Sequence, residues 1–547
     1  MLCRNVTNGN PLILLCKLRP YSTKNNNNNY VITSIEKDQL AKLPFFDESN
    51  IDRDPLKTVK SITRQRKQYL QKKNDVVQSI VGINSKDHPY LSYSFQGLPS
   101  MYDNITKSKS HGRLSVTKLM TKSWCELRYA YDAYSKMDKM TTRNISQGLS
   151  FHKSLEDTLI PENVPLDQFL KEQTITGFEK TLQYKWMDTL QKILTSFTNV
   201  GECRELLCHG YITNQKDSLQ DGKFVTDIDL ENENLILVSG IIDHLKWIPP
   251  SGNELYSNSQ FDLFDDIFND NEITEDLTEI LSSLQREIPK RINGWKLQVR
   301  DVKTRQTFNI PNQTSVQRST KLQIMYYRKF IEILSLDPTQ TYNMLIINAQ
   351  NRNLDIDQEL DPMAIIALMI QTPMLIPDMR RLRDGNPIGF EHYDNYSYTS
   401  QYGNKPFLIP EDIVSSETRE GFQEFATIWK KPVTLRYFAA RLAQTYHLLN
   451  STLSEDLLVE YYCRGVNFHN LPFKNNDEQL IEHNADRTNF LFGKREVQPI
   501  EQNLKNFLTY CKHCDYQSVC SWKHEGEEKL KNLGDELAQM WQKENSL

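Results

Sequence analysis

Cys511, Cys514 and Cys520 fall close together near the C-terminal end of this 547-residue chain. Thiols at that spacing gather around a metal centre and are one ligand short of completing it. Structural zinc and iron-sulfur clusters each take four protein ligands as a rule. The fourth must come from nearby, where His513 and His524 stand, or from far along the chain, where Cys125 stands. A remote ligand constrains the fold most, because it closes a very long loop and ties two distant segments together. On spacing alone, zinc through Cys511-x2-Cys514-x5-Cys520-x3-His524 and a cluster with a distant fourth cysteine stay equally open.

The nine cysteines are scattered and lack the density of a secreted disulfide scaffold, which places the chain in a reducing compartment. Cys203, Cys208 and Cys463 read as buried thiols. The longest apolar run, Met363 to Ile370, is too short to span a bilayer, so no membrane is expected as a partner. The formal charge of -5 argues against a polyanionic partner only superficially. Eight acids crowd between Phe261 and Ile280 without a Lys or Arg, leaving the rest of the chain net positive.

Residues 1–25 are basic and acid-free with an apolar middle, and resemble a mitochondrial presequence processed near Arg19-Pro-Tyr-Ser. A basic arm follows over 26–112. Its segment Lys57 to Lys73 carries seven basic residues and no acid, suited to phosphate contact or to a solvated helix face. Gly97 and Pro99 close the arm. Helical periodicity runs from Leu114 to Met140, with Cys125 inside it, and from Glu179 to Phe197. A short helix beginning near Gly148 carries His152 and Glu156 one turn apart, on one face.

Arg204 to Ile212 and Asn234 to Ile242 read as strands, the second almost continuously apolar and hence buried. An acidic surface insertion is expected over 251–290. Trp295 to Thr304 alternates as a strand, with Asp301 and Lys303 on one face. Thr320 to Leu334 reads as a helix bearing Gln323 and Tyr327 one turn apart. The main domain is expected over 113–525 and a C-terminal helix over 526–547.

The chemistry concentrates on those strands. Asp243, at the end of its buried strand, and Asp301, on the next strand, would bring two carboxylates to one place. Such a hard-oxygen site suits Mg2+, or Mn2+, which keeps waters for a substrate phosphate. Lys303 would complete a hydrolytic centre, because phosphodiester cleavage builds negative charge that an ammonium and a metal stabilise. With a pKa depressed by burial, Lys303 would also serve as a base toward the attacking water. Taken alone, Asp-x-Lys is a common surface salt bridge.

In order along the chain, His152, Glu205, Asp243, Asp301-Val-Lys303 and Gln323-x3-Tyr327 resemble the RecB-like branch of the PD-(D/E)XK nucleases. That resemblance implies an α/β fold with a mixed central sheet flanked by helices. It implies metal ligation by Asp243 and Asp301, with Glu205 the least secure ligand. His152 would lie beside the metal and Lys303 would activate water. Gln323 and Tyr327 would shape the site and touch DNA. Ile242-Asp243 stands where the superfamily has Pro-Asp, and Asp301 where many members have Glu.

Ser123-Trp-Cys125-Glu-Leu-Arg-Tyr before these motifs and Cys511-Lys-His-Cys514 through Cys520-Ser-Trp after them narrow the resemblance to the exonuclease V family, over about Val116 to Lys523. The family pattern implies a 4Fe-4S cluster on Cys125, Cys511, Cys514 and Cys520, of structural rather than redox use. It implies a monomeric single-stranded DNA exonuclease of the mitochondrial matrix, acting in mitochondrial DNA maintenance, cutting 5'-to-3' to short oligonucleotides, and working with a single-strand-binding protein. Lys512, Arg464, Arg128, Tyr129 and Trp522 are candidates to line the strand's path. The competing readings are a non-catalytic zinc-containing nucleic-acid-binding protein, and an endonuclease or RNase sharing the metal centre.

Overall fold

The computed structural model describes residues 55–81, 100–108, 112–120, 125–135, 143–157, 178–197, 201–213, 222–228, 235–250, 277–292, 294–360, 365–366, 369, 372–397 and 420–544. The presequence, Gly97 and Pro99, Ser123-Trp124 and the acidic residues up to Asp276 lie outside them.

Six strands form one mixed sheet: β1 (Arg113–Ser115), β2 (Glu202–Thr213), β3 (Leu235–Ile248), β4 (Lys296–Arg305), β5 (Asp456–Cys463) and β6 (Val466–Lys474). The helices that matter to the site are α1 (Pro55–Val81), α2 (Met101–Ser108), α3 (Glu126–Ser135), α4 (Arg143–Asp157), α5 (Phe178–Thr195), α6 (Leu277–Arg291), α7 (Thr314–Leu336), α8 (Pro338–Asn351), α9 (Ile376–Asp384), α10 (Leu435–His447), α11 (Asp477–Leu491), α12 (Leu504–Thr509) and α13 (Ser521–Glu544). The mixed α/β class expected from the sequence is the one observed. No helix among the described residues is long and apolar enough to cross a membrane.

β3 organises the sheet. β2 pairs antiparallel along one edge of it, from Glu202↔Lys246 to Thr213↔Leu235. On the other edge β1 pairs parallel with Leu237 to Ser239, and β4 pairs antiparallel with His244 to Ile248. Between Ser239 and His244 that edge therefore changes neighbour. Beyond Arg300, β4 leaves β3 and runs on in parallel with β5 as far as Arg305↔Cys463. The fork so created is where the functional side chains meet.

β2 and β3 are buried along most of their length, which explains their near-continuous apolar sequences. Two glycines admit α7 onto them. A methyl group on Gly210 would collide with Phe330, and one on Gly240 with the Tyr327 ring. α7 can thus lie against β2, β3, β4 and β5, burying Leu322, Phe330, Ile331 and Leu334 at helical spacing. Asp337 ends it and caps α8, accepting a hydrogen bond from Gln340 N with Pro338 at the first turn.

Several sequence expectations need correction. The single helix over Leu114 to Met140 is instead β1, one turn at Val116–Leu119, and α3, so Cys125 precedes a helix rather than lying inside one. α4 starts at Arg143, with Gly148 in its interior. β3 continues to Ile248, which puts Asp243 mid-strand. The described end of the expected surface insertion, α6, is an amphipathic helix whose Leu277, Ile280, Leu281, Leu284 and Ile288 are buried. Its acids occupy the other face, so composition hid an element of the core.

α1 likewise does more than expose charge. Arg64, Arg66 and Lys67 are exposed, but Lys73 is buried, 2.6 Å from Asp132 and 3.4 Å from Asp515, with its ammonium over the Tyr516 ring. α13 begins at Ser521, ahead of the expected 526. Cys203, Cys208 and Cys463 are buried free thiols, as read.

Residues alternating with the site carboxylates form a charged layer inside the sheet. His244 sits 3.1 Å from both Glu202 and Glu460, and Arg300 Nη1 donates to Glu460 Oε1 at 3.1 Å. Burial works against the Glu460 charge, but His244 and Arg300 outweigh it and hold its pKa down at about 2. A carboxyl whose pKa falls on folding adds stability above its unfolded value, and that stability is lost as pH drops through the folded one. Glu460→Gln should therefore cost about 3 kcal/mol at pH 7. The gap from wild type should narrow as pH falls from about 4.5 toward 2. Urea unfolding of both proteins across that range is the test, and a gap independent of pH would refute the assignment.

Candidate metal centre

At the fork, Asp243 and Asp301 come next in register after the His244↔Arg300 pair. With the ladder ended there, Val302 N–H donates instead to Asp243 Oδ2 at 2.9 Å, fixing that carboxylate. The backbone of Glu205, on the other side of β3, is in the left-handed region at φ 54°. That conformation is costly for a residue with a Cβ and clusters at functional sites. It brings the Glu205 carboxylate to 3.1 Å from His152 Nδ1, while Asp243 Oδ1 lies 3.9 Å from the same nitrogen. The ligating atoms of His152, Glu205 and Asp243 all lie within 4.8 Å of one another, close enough to hold one metal ion.

Asp301 is not one of these three but stands next to Asp243. It is wholly buried, Oδ1 has no hydrogen-bond partner among the described residues, and Lys303 Nζ stands 2.7 Å from Oδ2. Burial pushes its pKa up to about 7, opposed by Lys303 and reinforced by the Asp243 charge. A buried carboxylate with an orphaned oxygen facing a second carboxylate is a site that a cation relieves. Lys303 corrects an expectation: burial opposes its charge, but Asp301 and Asp243 outweigh it and raise its pKa. The residue is thus held as an ammonium and not readied as a base.

Lys303 Nζ reaches Gln323 Oε1 at 3.5 Å, and Gln323 Nε2 donates to the Tyr327 hydroxyl at 2.8 Å. The two α7 residues are thus at the site, but Tyr327 is buried beneath Gly240 and faces no solvent path. Its part is to seat Gln323 and the strand.

Cys125, Cys511, Cys514 and Cys520 line one largely apolar cavity with Leu127, Tyr131, Ile500 and Trp522. His513 and His524 are exposed. Burial, together with the neighbouring Cys125 and Cys520, pushes the Cys511 thiol up to about 11, and burial takes Cys514 to about 12. Four soft donors forced together in apolar surroundings suit a cluster that binds them as thiolates. Of the path candidates, Arg128 and Trp522 line this cavity, Lys512 and Arg464 are exposed, and Tyr129 is buried with Arg487 over its ring.

A family model described as "Exonuclease V - a 5' deoxyribonuclease" matches residues 104–523. Similarity over most of the chain extends to proteins named "Exonuclease V, mitochondrial". The one from Candida glabrata is 36% identical, over 93% of this chain and 98% of its own. Those from Vanderwaltozyma polyspora and Saccharomyces cerevisiae are each 33% identical, covering 93% of both chains and 94% and 92%, respectively.

One contributor gave no signal in the sequence. Lys192 on α5 is buried, pairs with Glu156 at 2.6 Å and Asp188 at 2.7 Å, and donates to the Glu205 carbonyl at 3.3 Å. It thereby satisfies the backbone that the left-handed turn displaces, and it takes Glu156 away from the metal face. Lys192→Met should weaken Mn2+ binding about 10–100-fold, as loss of a group orienting a ligand does. Lys192→Arg should restore most of it. Isothermal titration of folded protein, verified by circular dichroism, decides; unaltered affinity in the Met variant would show that Glu205 needs no such support.

Proposed function

The chain belongs to the exonuclease V family, and we propose that it is a Mg2+-dependent exonuclease on single-stranded DNA in the mitochondrial matrix, built on a RecB-like PD-(D/E)XK core. The observation carrying this reading is the convergence of His152, Glu205 and Asp243 within 4.8 Å, beside the buried Asp301–Lys303 pair. His152, Glu205, Asp243 and Asp301 would hold Mg2+ or Mn2+. When bound there, such an ion supplies Lewis acidity to the phosphoryl oxygen and acidity to a water.

The protein's own groups do the rest. The Lys303 ammonium is fixed between Asp301 and Gln323, where it can stabilise negative charge growing on a phosphate without reorganising. Val302 N–H and the Glu205 turn preset the carboxylates, so little motion separates the free from the loaded site. Relatives named "Exonuclease V, mitochondrial" support the compartment and exonuclease action, and a role in mitochondrial DNA maintenance fits that reading. The family description supports a 5' deoxyribonuclease, for which we propose 5'-to-3' release of short oligonucleotides. We assign no accessory partner contact; a monomer that works beside a single-strand-binding protein fits this reading.

Cys125, Cys511, Cys514 and Cys520 would bind a 4Fe-4S cluster that holds α3 to the C-terminal segment. Phosphodiester hydrolysis exchanges no electrons, so the role is mechanical.

Asp301→Ala should reduce release of label from end-labelled single-stranded DNA on the order of 10³-fold while the fold persists by circular dichroism. Full activity in that variant would overturn the metal assignment, and equal cutting of circular DNA or RNA would replace exonuclease by endonuclease or RNase. Anaerobically purified protein should be brown with a visible absorption band that Cys125→Ser abolishes. A colourless, zinc-containing protein indifferent to Cys125→Ser would overturn the cluster.

A further inference from the structure

Two stretches of this chain contain no Asp or Glu although the whole carries 70 of them: Val302 to Ile331, with Lys303, Arg305, Arg318, Lys321, Arg328 and Lys329, and Tyr461 to Asn476, with Arg464, His469 and Lys474. The fold brings them together. Lys303 is in register with Tyr461 and Arg305 with Cys463, so the loop after β4 and the β5–β6 hairpin lie side by side next to the metal centre.

Aromatic rings step outward along this seam. The Tyr461 ring, beside Lys303, lies 6.3 Å from Phe468, and Phe468 meets Phe308 edge-on at 5.6 Å. A shift in β5–β6 register between Tyr461 and Tyr462 places Phe468 where it can do this. Phe308 is 55% exposed, just after the end of β4, in a run where residues 304–309 are all exposed. Arg305 and Arg464 are exposed and form no ion pair among the described residues. β6 is the last strand of the sheet.

We infer that this acid-free seam is the track on which single-stranded DNA reaches the carboxylates, its bases stacking on Phe308 and Phe468 and its phosphates pairing with Arg305 and Arg464. The proposal rests on the nuclease reading above and adds the place and mode of binding. Charge alone would suit any polyanion. Rings that reach solvent, Phe308 exposed and Phe468 half-buried, select an unpaired strand, because a duplex keeps its base faces inside the stack, whereas each unpaired base offers a π-face worth about 1–3 kcal/mol on an aromatic.

Binding is measured by fluorescence anisotropy of a labelled oligothymidylate and a duplex of equal length, on full-length protein carrying Asp301→Asn so that no cleavage intervenes. Phe308→Ala with Phe468→Ala should weaken oligothymidylate binding roughly 10–100-fold and leave duplex binding nearly unchanged. Arg305→Gln with Arg464→Gln should weaken both and flatten the salt dependence for the single strand by about 1.4 in log–log slope. Equal affinity in the Phe variants, or an equal loss for duplex, overturns the track. So does competition by polyglutamate as effective as by unlabelled oligothymidylate, which would mark a site for acidic protein. Because this measurement needs no catalysis, it succeeds or fails separately from the Asp301→Ala cleavage assay.

Discussion

The site depends on β3 changing neighbours. A strand held by continuous ladders on both edges has every backbone group paired and every side chain enclosed. Here β2 supplies a ladder that skips Glu205 and Asp243, while the other edge passes from β1 at Ser239 to β4 at His244. At the interruption a main-chain donor, Val302 N–H, is free to bond a carboxylate instead of a carbonyl. The same divergence lets His152 on α4 approach Asp243 from one side and Gln323 on α7 approach Lys303 from another. Buried carboxylates are costly in an apolar layer unless something offsets their charge. The fork provides an ammonium, a backbone amide and room for a cation in the space of a few ångströms.

Much of this was legible because strands buried on both faces and helices with one apolar stripe leave strong patterns. β2, β4 and α5 were each anticipated within two residues of their observed bounds, and β3 and α7, which run six residues further at one end, brought with them the adjacency of Asp243 and Asp301. Other features left no trace for physical reasons. Glu205 adopts a positive φ within a strand, and no local residue choice announces it, since glycine is the usual marker for that conformation. Lys192 lies on an amphipathic helix at a spacing that reads as a surface pair with Asp188. Only tertiary packing turns it inward, toward a carbonyl in β2. α6 was missed because the acids crowded ahead of it, between Asp262 and Asp276, dominate the composition of that stretch, while its own five buried apolar residues keep helical period. Net charge obscured periodicity there, just as the chain's overall -5 obscured the acid-free seam beside the metal centre.

The cysteine clasp raises the question of what holds the two ends of the domain before any cluster is present. Glu126, immediately after Cys125, is fully buried and accepts hydrogen bonds from Arg487 on α11, from both terminal nitrogens of Arg495, and from Gln498 N. Its own N–H returns a bond to the Gln498 carbonyl. Burial opposes the Glu126 charge, yet Arg495, Gln498 N and Arg487 together bring its pKa below the usual range. Removing one member of such a buried set costs about 3–5 kcal/mol, because the others are left uncompensated. A second tie runs through Lys73, which joins α1 to Asp132 on α3 and to Asp515 between Cys514 and Cys520. Tyr516 adds a hydrogen bond to Asp132 at 2.7 Å.

Polar contacts thus already position Cys125 against the Cys511 segment, beside the cavity that the four thiols line. That ordering has a consequence for the cluster. A ligand set assembled only by its metal must supply the entropy of closing a loop of nearly four hundred residues. Here the fold has already closed it, and the binding energy of the proposed cluster would rigidify the junction instead. Burial raises the Cys511 and Cys514 thiols, so the proposed cluster would have to displace their protons as it binds. The proposed clasp would fasten a joint that the protein's own charges have aligned, on a domain in which α7, bearing Gln323, packs against α11, bearing Arg487.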